Sequence, residues 1–594
     1  MRMGNEVSGL EVCFAQTIRA FWTGKPLSCI PHHKMTKQNS QVMGSARRWH
    51  LPRINVWSVG TAIIAAVVLC PILSVVWIAF HPAENIWPHL MASVLPRYLG
   101  NTLILMSGVA VLTAIFGTVS AWLIAMYRFP GRRWLDYALL FPLAIPAYVG
   151  AYALVDFLDY AGPLQAAMRA TFGWQDARDY WFPEVRAHGP AIVVLASALY
   201  PYVYLLARAA FREQSGCSYE VARALGAGPW AMFWRIGLPL ARPAIATGVA
   251  LAMMETVADY GTVLHFGVQT LTTGIFSTWL TGNNAGGAAQ IAGVILMLVL
   301  LLLALERISR RNARFHRLSR ASRPIVPLAL QGTGALAATV FCLVPFVFGF
   351  VLPVGVMLTH AFKRPEVWIA PGLLPALGNT VMVGGIAATL TVLAALLLVY
   401  GMRMIGRDLA RLVLPITTIG YAAPGAVLAL GLLIPLAALD HRVADGVLWL
   451  TGTDPGLIMT GTSAAIILAY FVRFFGIAQG ALDAAFGRVS PSLEMAARSL
   501  GRSAGGALSA VYLPLMKGSV ATAILLVFVD CVKELPATLL LRPFNFNTLS
   551  TRVFELASLE RLGEAAPAAL LVMAVGLVAV GFLARANHSP KNTE

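Results

Sequence analysis

The sequence predicts an all-α integral membrane protein, with twelve transmembrane helices arranged as two parallel six-helix repeats. Three observations carry that prediction: an apolar composition, long unbroken apolar stretches, and a second half that repeats the first. Of 594 residues, 58% are apolar and only 12% are charged, and the mean hydropathy is +0.72. Soluble domains carry about 25% charged residues. That excludes a soluble multidomain enzyme, and with it a disordered chain or a disulfide-rich secreted scaffold. Continuous runs near the ~20 residues that cross ~30 Å of hydrocarbon mark helices, not the alternating ~10-residue strands of an outer-membrane barrel.

Residues 1–54 are polar and are expected to form a disordered cytoplasmic extension. No apolar core followed by a small-residue cleavage site marks a signal peptide. Met43, just ahead of Arg47, Arg48 and Arg53, is an alternative start. A first domain, 55–306, holds spans near 55–80, 100–127, 134–159, 189–212, 243–265 and 285–306. A basic linker, 307–330, follows. A second domain, 331–584, holds spans near 331–360, 378–403, 411–437, 460–484, 515–540 and 562–584, and 585–594 is a short tail.

Charge orients these spans. The net charge is +17, and the basic residues sit between apolar runs. The linker alone carries Arg307, Arg310, Arg311, Arg314, Arg317, Arg320 and Arg323, whereas 266–284 has no Lys or Arg. The positive-inside rule then places the linker and both termini in the cytoplasm. No nucleic-acid partner is needed to account for the charge. The six cysteines (Cys13, Cys29, Cys70, Cys217, Cys342, Cys531) are scattered without a CxxC and read as structural.

The duplication is visible residue by residue. Leu99-Gly100-Asn101-Thr102 matches Leu377-Gly378-Asn379-Thr380, Pro146 matches Pro424, and Thr270-Leu271 matches Thr548-Leu549, all at an offset of 278. Between these anchors Arg223, Leu225-Gly226 and Leu238-Pro239 match Arg498, Leu500-Gly501 and Leu513-Pro514 at 275. Six spans per half give both halves the same orientation, so the repeat is parallel.

Two polar stretches stand out at equivalent places: Glu220-Val-Ala-Arg-Ala-Leu-Gly226 with Ile236-Gly-Leu238-Pro239, and Met495-Ala-Ala-Arg-Ser-Leu-Gly501 with Val511-Tyr-Leu513-Pro514. Each predicts a short helix turned at its glycine, then a second short helix that stops before the proline, making a cytoplasmic elbow. This pattern, E-A-A-x3-G-x9-I-x-L-P, resembles that of the membrane subunits of binding-protein-dependent ABC importers. Glu220, Ala222, Gly226, Leu238 and Pro239 match it in the first copy, and Ala497, Gly501, Leu513 and Pro514 in the second. Met495 takes the place of the motif Glu, with Glu494 one residue earlier.

The resemblance implies the type I ABC importer permease fold in the bacterial inner membrane. It also implies elbows that dock on a homodimer of ATPase subunits, and a periplasmic substrate-binding protein outside. The runs Glu255-Thr-Val-Ala-Asp259-Tyr-Gly-Thr-Val263 and Val532-Lys533-Glu534-Leu-Pro-Ala-Thr538 are similar to those of fused ferric-iron permeases. This resemblance makes ferric iron the expected substrate; fused permeases for thiamine and phosphonates share the architecture and are the alternatives. The chain has no G-x4-G-K-[ST] loop, since its Gly24-Lys25 pair is followed by Pro26. It is therefore expected to bind no cofactor and to be no enzyme, with ATP held by the partner.

Glu255 and Asp259, and likewise Asp530 and Glu534, sit four residues apart in spans five and eleven, which puts each pair on one helix face. Intramembrane acids usually face a bundle interior or water. Two readings follow: the four line a cation path, or they pair with Lys533, cap helices or bond facing backbone. The second is the plainer. No metal site is assigned. Arg473 is expected to snorkel or pair internally. Pro142, Pro146, Pro415 and Pro424 should break spans three and nine. The loop 160–188, with Asp176, Asp179 and Glu184 beside Trp174 and Trp181, is either a contact for the binding protein or simply solvated. An ion-coupled secondary transporter would also use the four carboxylates, but it has no need of the elbows. A membrane enzyme would want an HExxH or GxSxG motif, and neither occurs.

Overall fold

The structure is a computed structural model that describes residues 56–311, 325–405 and 413–586. The expected N-terminal extension, the centre of the basic linker and most of the C-terminal tail lie outside the described residues. Among those described, eleven helices are long and apolar enough to cross a membrane, and one bent pair raises the number to twelve. The chain is a multi-pass membrane protein.

The first half runs α1 (Val56–Phe80), α2 (Leu95–Met126), α3 (Ala147–Leu158), α4 (His188–Glu213), α5 (Gly216–Ala224), α6 (Leu238–Ala258), α7 (Gly261–His265), α8 (Leu271–Phe276) and α9 (Ala285–Arg311). The second runs α10 (Gly332–Lys363), α11 (Leu373–Ile405), α12 (Gly425–Thr451), α13 (Ser463–Arg488), α14 (Pro491–Ser499), α15 (Leu513–Lys533), α16 (Pro536–Leu541), α17 (Leu549–Ser558) and α18 (Leu562–Ala586). Within the long helix α10, Val347–Val351 is a π-helical turn.

The breaks have local causes. Ile145 and Ala423 precede Pro146 and Pro424, and both are extended, because the proline ring disfavours the α conformation one residue earlier. Span three is the bent pair, Arg132–Ala144 with Ala147–Phe172, at 96°. Pro142 is the second residue of the 3₁₀ turn Phe141–Ala144, and Pro415 lies in the short apolar helix Val413–Ala422.

Each half is built on three helices packed together: α2, α4 and α6 in the first, α11, α13 and α15 in the second. Small residues let the backbones approach, which is how membrane helices gain packing without a hydrophobic driving force. A Cβ on Gly117 or Gly248 would strike Val203 on α4. The outer spans are exchanged. α1 packs on α11 and α12 of the other half, and α10 packs on α3 of the first. Gly431 seats against Pro71 at one exchange, and Gly349 against Ser197 and Pro142 at the other.

The repeat anchors bond to one another. Asn101 donates to Gln269 O at 2.8 Å, and Asn379 to Asn547 O at 3.0 Å. Thr102 Oγ1 accepts from Leu271 N at 3.1 Å, and Thr380 Oγ1 from Leu549 N at 2.8 Å. Thr270 and Thr548 each form a capping box with the threonine three residues on. The residues that reveal the duplication therefore also tie α2 and α11 to the short helices α8 and α17.

Candidate functional site

All four acids of the sequence reading meet at one cavity of about 140 Å³ between the halves. Glu255 and Asp259 come from the end of α6, and Asp530 and Glu534 from the end of α15. Tyr148, Tyr202, Tyr421, Arg473 and Lys533 line the same space.

The expected placement of each acid pair on one continuous helix face needs correction. α6 ends at Ala258 and α15 at Lys533, short of the expected 265 and 540. Asp259 and Glu534 are the residues at which the helices stop, both with extended backbone. Each turns its carboxylate onto the next short helix. Asp259 accepts from Thr262 N (3.0 Å), Val263 N (3.1 Å) and Thr262 Oγ1 (2.8 Å), and Glu534 accepts from Ala537 N (3.2 Å). A carboxylate at a helix start satisfies free N–H groups and complements the dipole, and that interaction competes with continuing the span.

The pairing reading also holds. Arg473 Nε lies 2.9 Å from Glu534 Oε2, and both side chains are at least nine-tenths buried. Its Nη1 reaches Ala423 O at 3.4 Å. A Cβ at Gly425 would collide with Glu534 and Arg473, so only glycine leaves room for the pair. Lys533 Nζ meets Asp530 Oδ1 at 3.0 Å and donates to Leu143 O of the first half at 3.3 Å. Glu255 faces the Tyr421 hydroxyl. The two readings are thus compatible, because the acids are locally satisfied and still line one cavity.

The elbows lie at the opposite ends of α6 and α15 from this cavity. Two residues beyond α5 stands Gly226 (φ +82°) and two beyond α14 Gly501 (φ +83°), in the left-handed conformation that glycine adopts at least cost. Ala227 N donates to Ala222 O at 2.9 Å and Arg502 N to Ala497 O at 3.1 Å, which closes the same helix stop twice. The expected second helix that stops before the proline is not seen. The chain instead runs on through π turns, Phe233–Gly237 and Leu508–Tyr512, directly into α6 and α15. Pro239 and Pro514 stand just after those π turns in a continuous helix, and the wider turn accommodates the N–H that each proline lacks. Each elbow is therefore a rigid lever continuous with the helix that ends at the cavity.

The elbows differ in what they expose. In the first, Glu220, Ala224, Gly226 and Pro239 are exposed, Ala222 and Leu238 half-buried. In the second, Gly501, Leu513 and Pro514 are exposed and Ala497 is buried, but Glu494 is turned inward to accept from the Tyr512 hydroxyl at 2.8 Å. Met495 stands out at 63% exposure in its place. Leu225 and Leu500, and Trp230 and Trp234 on the first elbow, are exposed apolar side chains that the sequence reading passed over. The repeated Leu-Gly dipeptide marks the two leucines, whereas the tryptophans have no counterpart in the second elbow. In the loop 160–188, Trp174 is stacked between Phe172 and Tyr180, whereas Trp181 is 85% exposed. Asp179 accepts from Gln175 N and Asp176 N, and these bonds hold its carboxyl below the usual range.

A long-helix bundle with two matched elbows and a cavity between the halves is the architecture of a transport pore, and the comparisons agree. Residues 113–314 match the family described as binding-protein-dependent transport system inner membrane component. The matched segment lies in the first half, so that half resembles a membrane component of a binding-protein-dependent importer, and the chain joins two such halves in one polypeptide. It is 27% identical over 488 residues, 80% of its length and 87% of the relative's, to the Fe(3+)-transport system permease protein FbpB 2 of Haemophilus influenzae. It is 29% identical over 192 residues, 31% of its length, to 80% of the molybdenum transport system permease protein ModB of Escherichia coli K12. It is 32% identical over 160 residues, 26% of its length, to about half (51%) of the probable sulfate transport system permease protein cysT of Nephroselmis olivacea.

Proposed function

We propose that the chain is the membrane pathway of an ATP-driven importer for ferric iron, residues 55–306 and 331–584 being its two permease domains. The charge of the cavity carries the choice of substrate. Relatives are named for ferric iron, molybdenum and sulfate. Four carboxylates against one Arg and one Lys favour a cation over the tetrahedral oxyanions. Similarity over four-fifths of the chain to a permease named for Fe(3+) supports the same choice. Hard carboxylate and phenol oxygens suit a small, highly charged cation.

In this reading the protein sits in the bacterial inner membrane with both termini in the cytoplasm. A periplasmic binding protein delivers iron at the face that carries the loop 160–188, and exposed Trp181 offers it an apolar contact. Glu255, Asp259, Asp530 and Glu534 line the path. Two ATPase subunits seize the elbows, and ATP stays on them, so this chain holds no cofactor. Closure of the ATPase dimer pushes both elbows, and each push passes along α6 or α15 to the cavity.

Cells lacking the chain should lose high-affinity uptake of radiolabelled ferric iron, and the restored chain should return it. Intact iron uptake, in cells with no second iron importer, would move the substrate to thiamine or a phosphonate. The elbow contacts have their own test. Glu220→Ala should lower substrate-stimulated ATPase activity several-fold with little change in stability. Glu494→Ala should instead destabilise the protein by about 1–3 kcal/mol, because the buried Tyr512 hydroxyl loses its acceptor. Thermal melts beside ATPase rates separate the two, and equal effects of both substitutions on both readouts would refute the difference between the elbows.

A further inference from the structure

The two halves contribute their acids symmetrically and their bases one-sidedly. At the offset of 275, Glu255 corresponds to Asp530 and Asp259 to Glu534, whereas Arg473 corresponds to Ala198 and Lys533 to Ala258. Both alanines line the cavity. The bases differ in how they are held. Arg473 is buried and confined against Glu534 by Gly425. Lys533 is a point charge on a flexible stem, with its side chain 20% exposed and that of its partner Asp530 29% exposed. Its other contact is a single carbonyl across the interface, Leu143 O.

Glu255 makes no ion pair among the described residues, and Arg473, Asp530, Glu534 and Lys533 all lie within its electrostatic reach. Tyr202 and Tyr421 lie within reach of both acids. On the Asp259 and Glu534 side of the same cavity, the Tyr148 hydroxyl has no hydrogen-bond partner, although Tyr148 is only 4% exposed. Carboxylate and phenol oxygens of both halves therefore border this cavity. No three carboxylates, histidines or cysteines among the described residues converge on one point as a metal cage would require.

We propose that Glu255 and Asp530, one from each half, form a transit site for a hard trivalent cation, and that Lys533 is the resident counter-ion which the cargo displaces. This rests on the cation-import reading given above. Conduction needs binding strong enough to admit the ion and weak enough to release it. A tethered ammonium beside Asp530 supplies the second property, because it re-enters as the ion leaves. An oxyanion would use the site in the opposite sense and bind at Lys533.

The test uses the full-length protein in lipid nanodiscs, with terbium(III) as the probe, read by luminescence sensitised through the aromatic residues. Lys533→Met keeps the stem and removes the charge, and it should tighten terbium binding about tenfold or more. Lys533→Arg should stay near wild type. Glu255→Gln and Asp530→Asn should each weaken binding about tenfold, and Asp530→Asn should cancel the gain of Lys533→Met. Glu366→Gln, at an exposed surface position, is the control for adventitious binding and should change nothing. If Lys533→Met leaves the affinity unchanged or lowers it, the displacement is overturned. If Glu255→Gln and Asp530→Asn bind like wild type, the site is overturned even where ferric uptake is intact. The predicted terbium pattern in a protein whose cells import iron normally without it would support the site and refute the ferric cargo.

Discussion

Gly226→Val is expected to leave the chain inserted and folded while substrate-stimulated ATP hydrolysis by the assembled importer falls at least about tenfold, and Gly501→Val should do the same. No atom lies within 4 Å of a Cβ built on either glycine, so the effect is not a clash. It is conformational. Both residues hold φ near +80°, which costs an L-residue roughly 1–2 kcal/mol and a β-branched one more. The cheapest relief is to unwind the stop at Ala227 N–Ala222 O or Arg502 N–Ala497 O, and that re-aims the exposed Leu225 or Leu500. Protein level and melting temperature report folding, and ATPase rate with and without loaded binding protein reports coupling. Normal stimulation in both variants would remove the elbows from the drive train.

Arg473→Met should be the most destabilising single change in the cavity, by about 3–5 kcal/mol, because it leaves Glu534 buried without its counter-charge. The double variant Arg473→Met with Glu534→Gln should regain most of that loss, since a buried ion pair is often replaceable as a unit. Thermal unfolding of the four members of the cycle in one detergent measures the coupling. An additive double variant would mean that the two side chains act independently. Transport should stay impaired in the double variant, because the path has lost a carboxylate.

Much of this fold was legible in the sequence because it is written in short-range terms. Apolar runs gave the spans, the prolines at 146 and 424 gave two breaks, and the shared Asn-Thr and Thr-Leu anchors gave the duplication. The left-handed glycines gave the elbow turns. What escaped depends on contacts between distant segments. Asp259 and Glu534 end their helices by capping the next ones, and helical spacing alone reads them as one more residue on a face. The π turns that carry the elbows into α6 and α15 leave no pattern in an apolar run. The exchange of α1 and α10 is equally silent, because a helix that is apolar all round does not say which neighbour it chooses. Arg473 was visible as a lone cation in a span, but its partner on another span was not.

The one-sided bases have a consequence for how such a protein can be inherited. Two copies of the first half would surround the cavity with carboxylates and no base, and two copies of the second would match every acid with a base. Neither gives the intermediate charge seen here, which needs one of each. Joining the halves in a single reading frame makes each ribosome deliver them in equal dose and denies each half its own twin as a partner. Once the halves diverged in charge, separating them again would require a new means of telling one from the other.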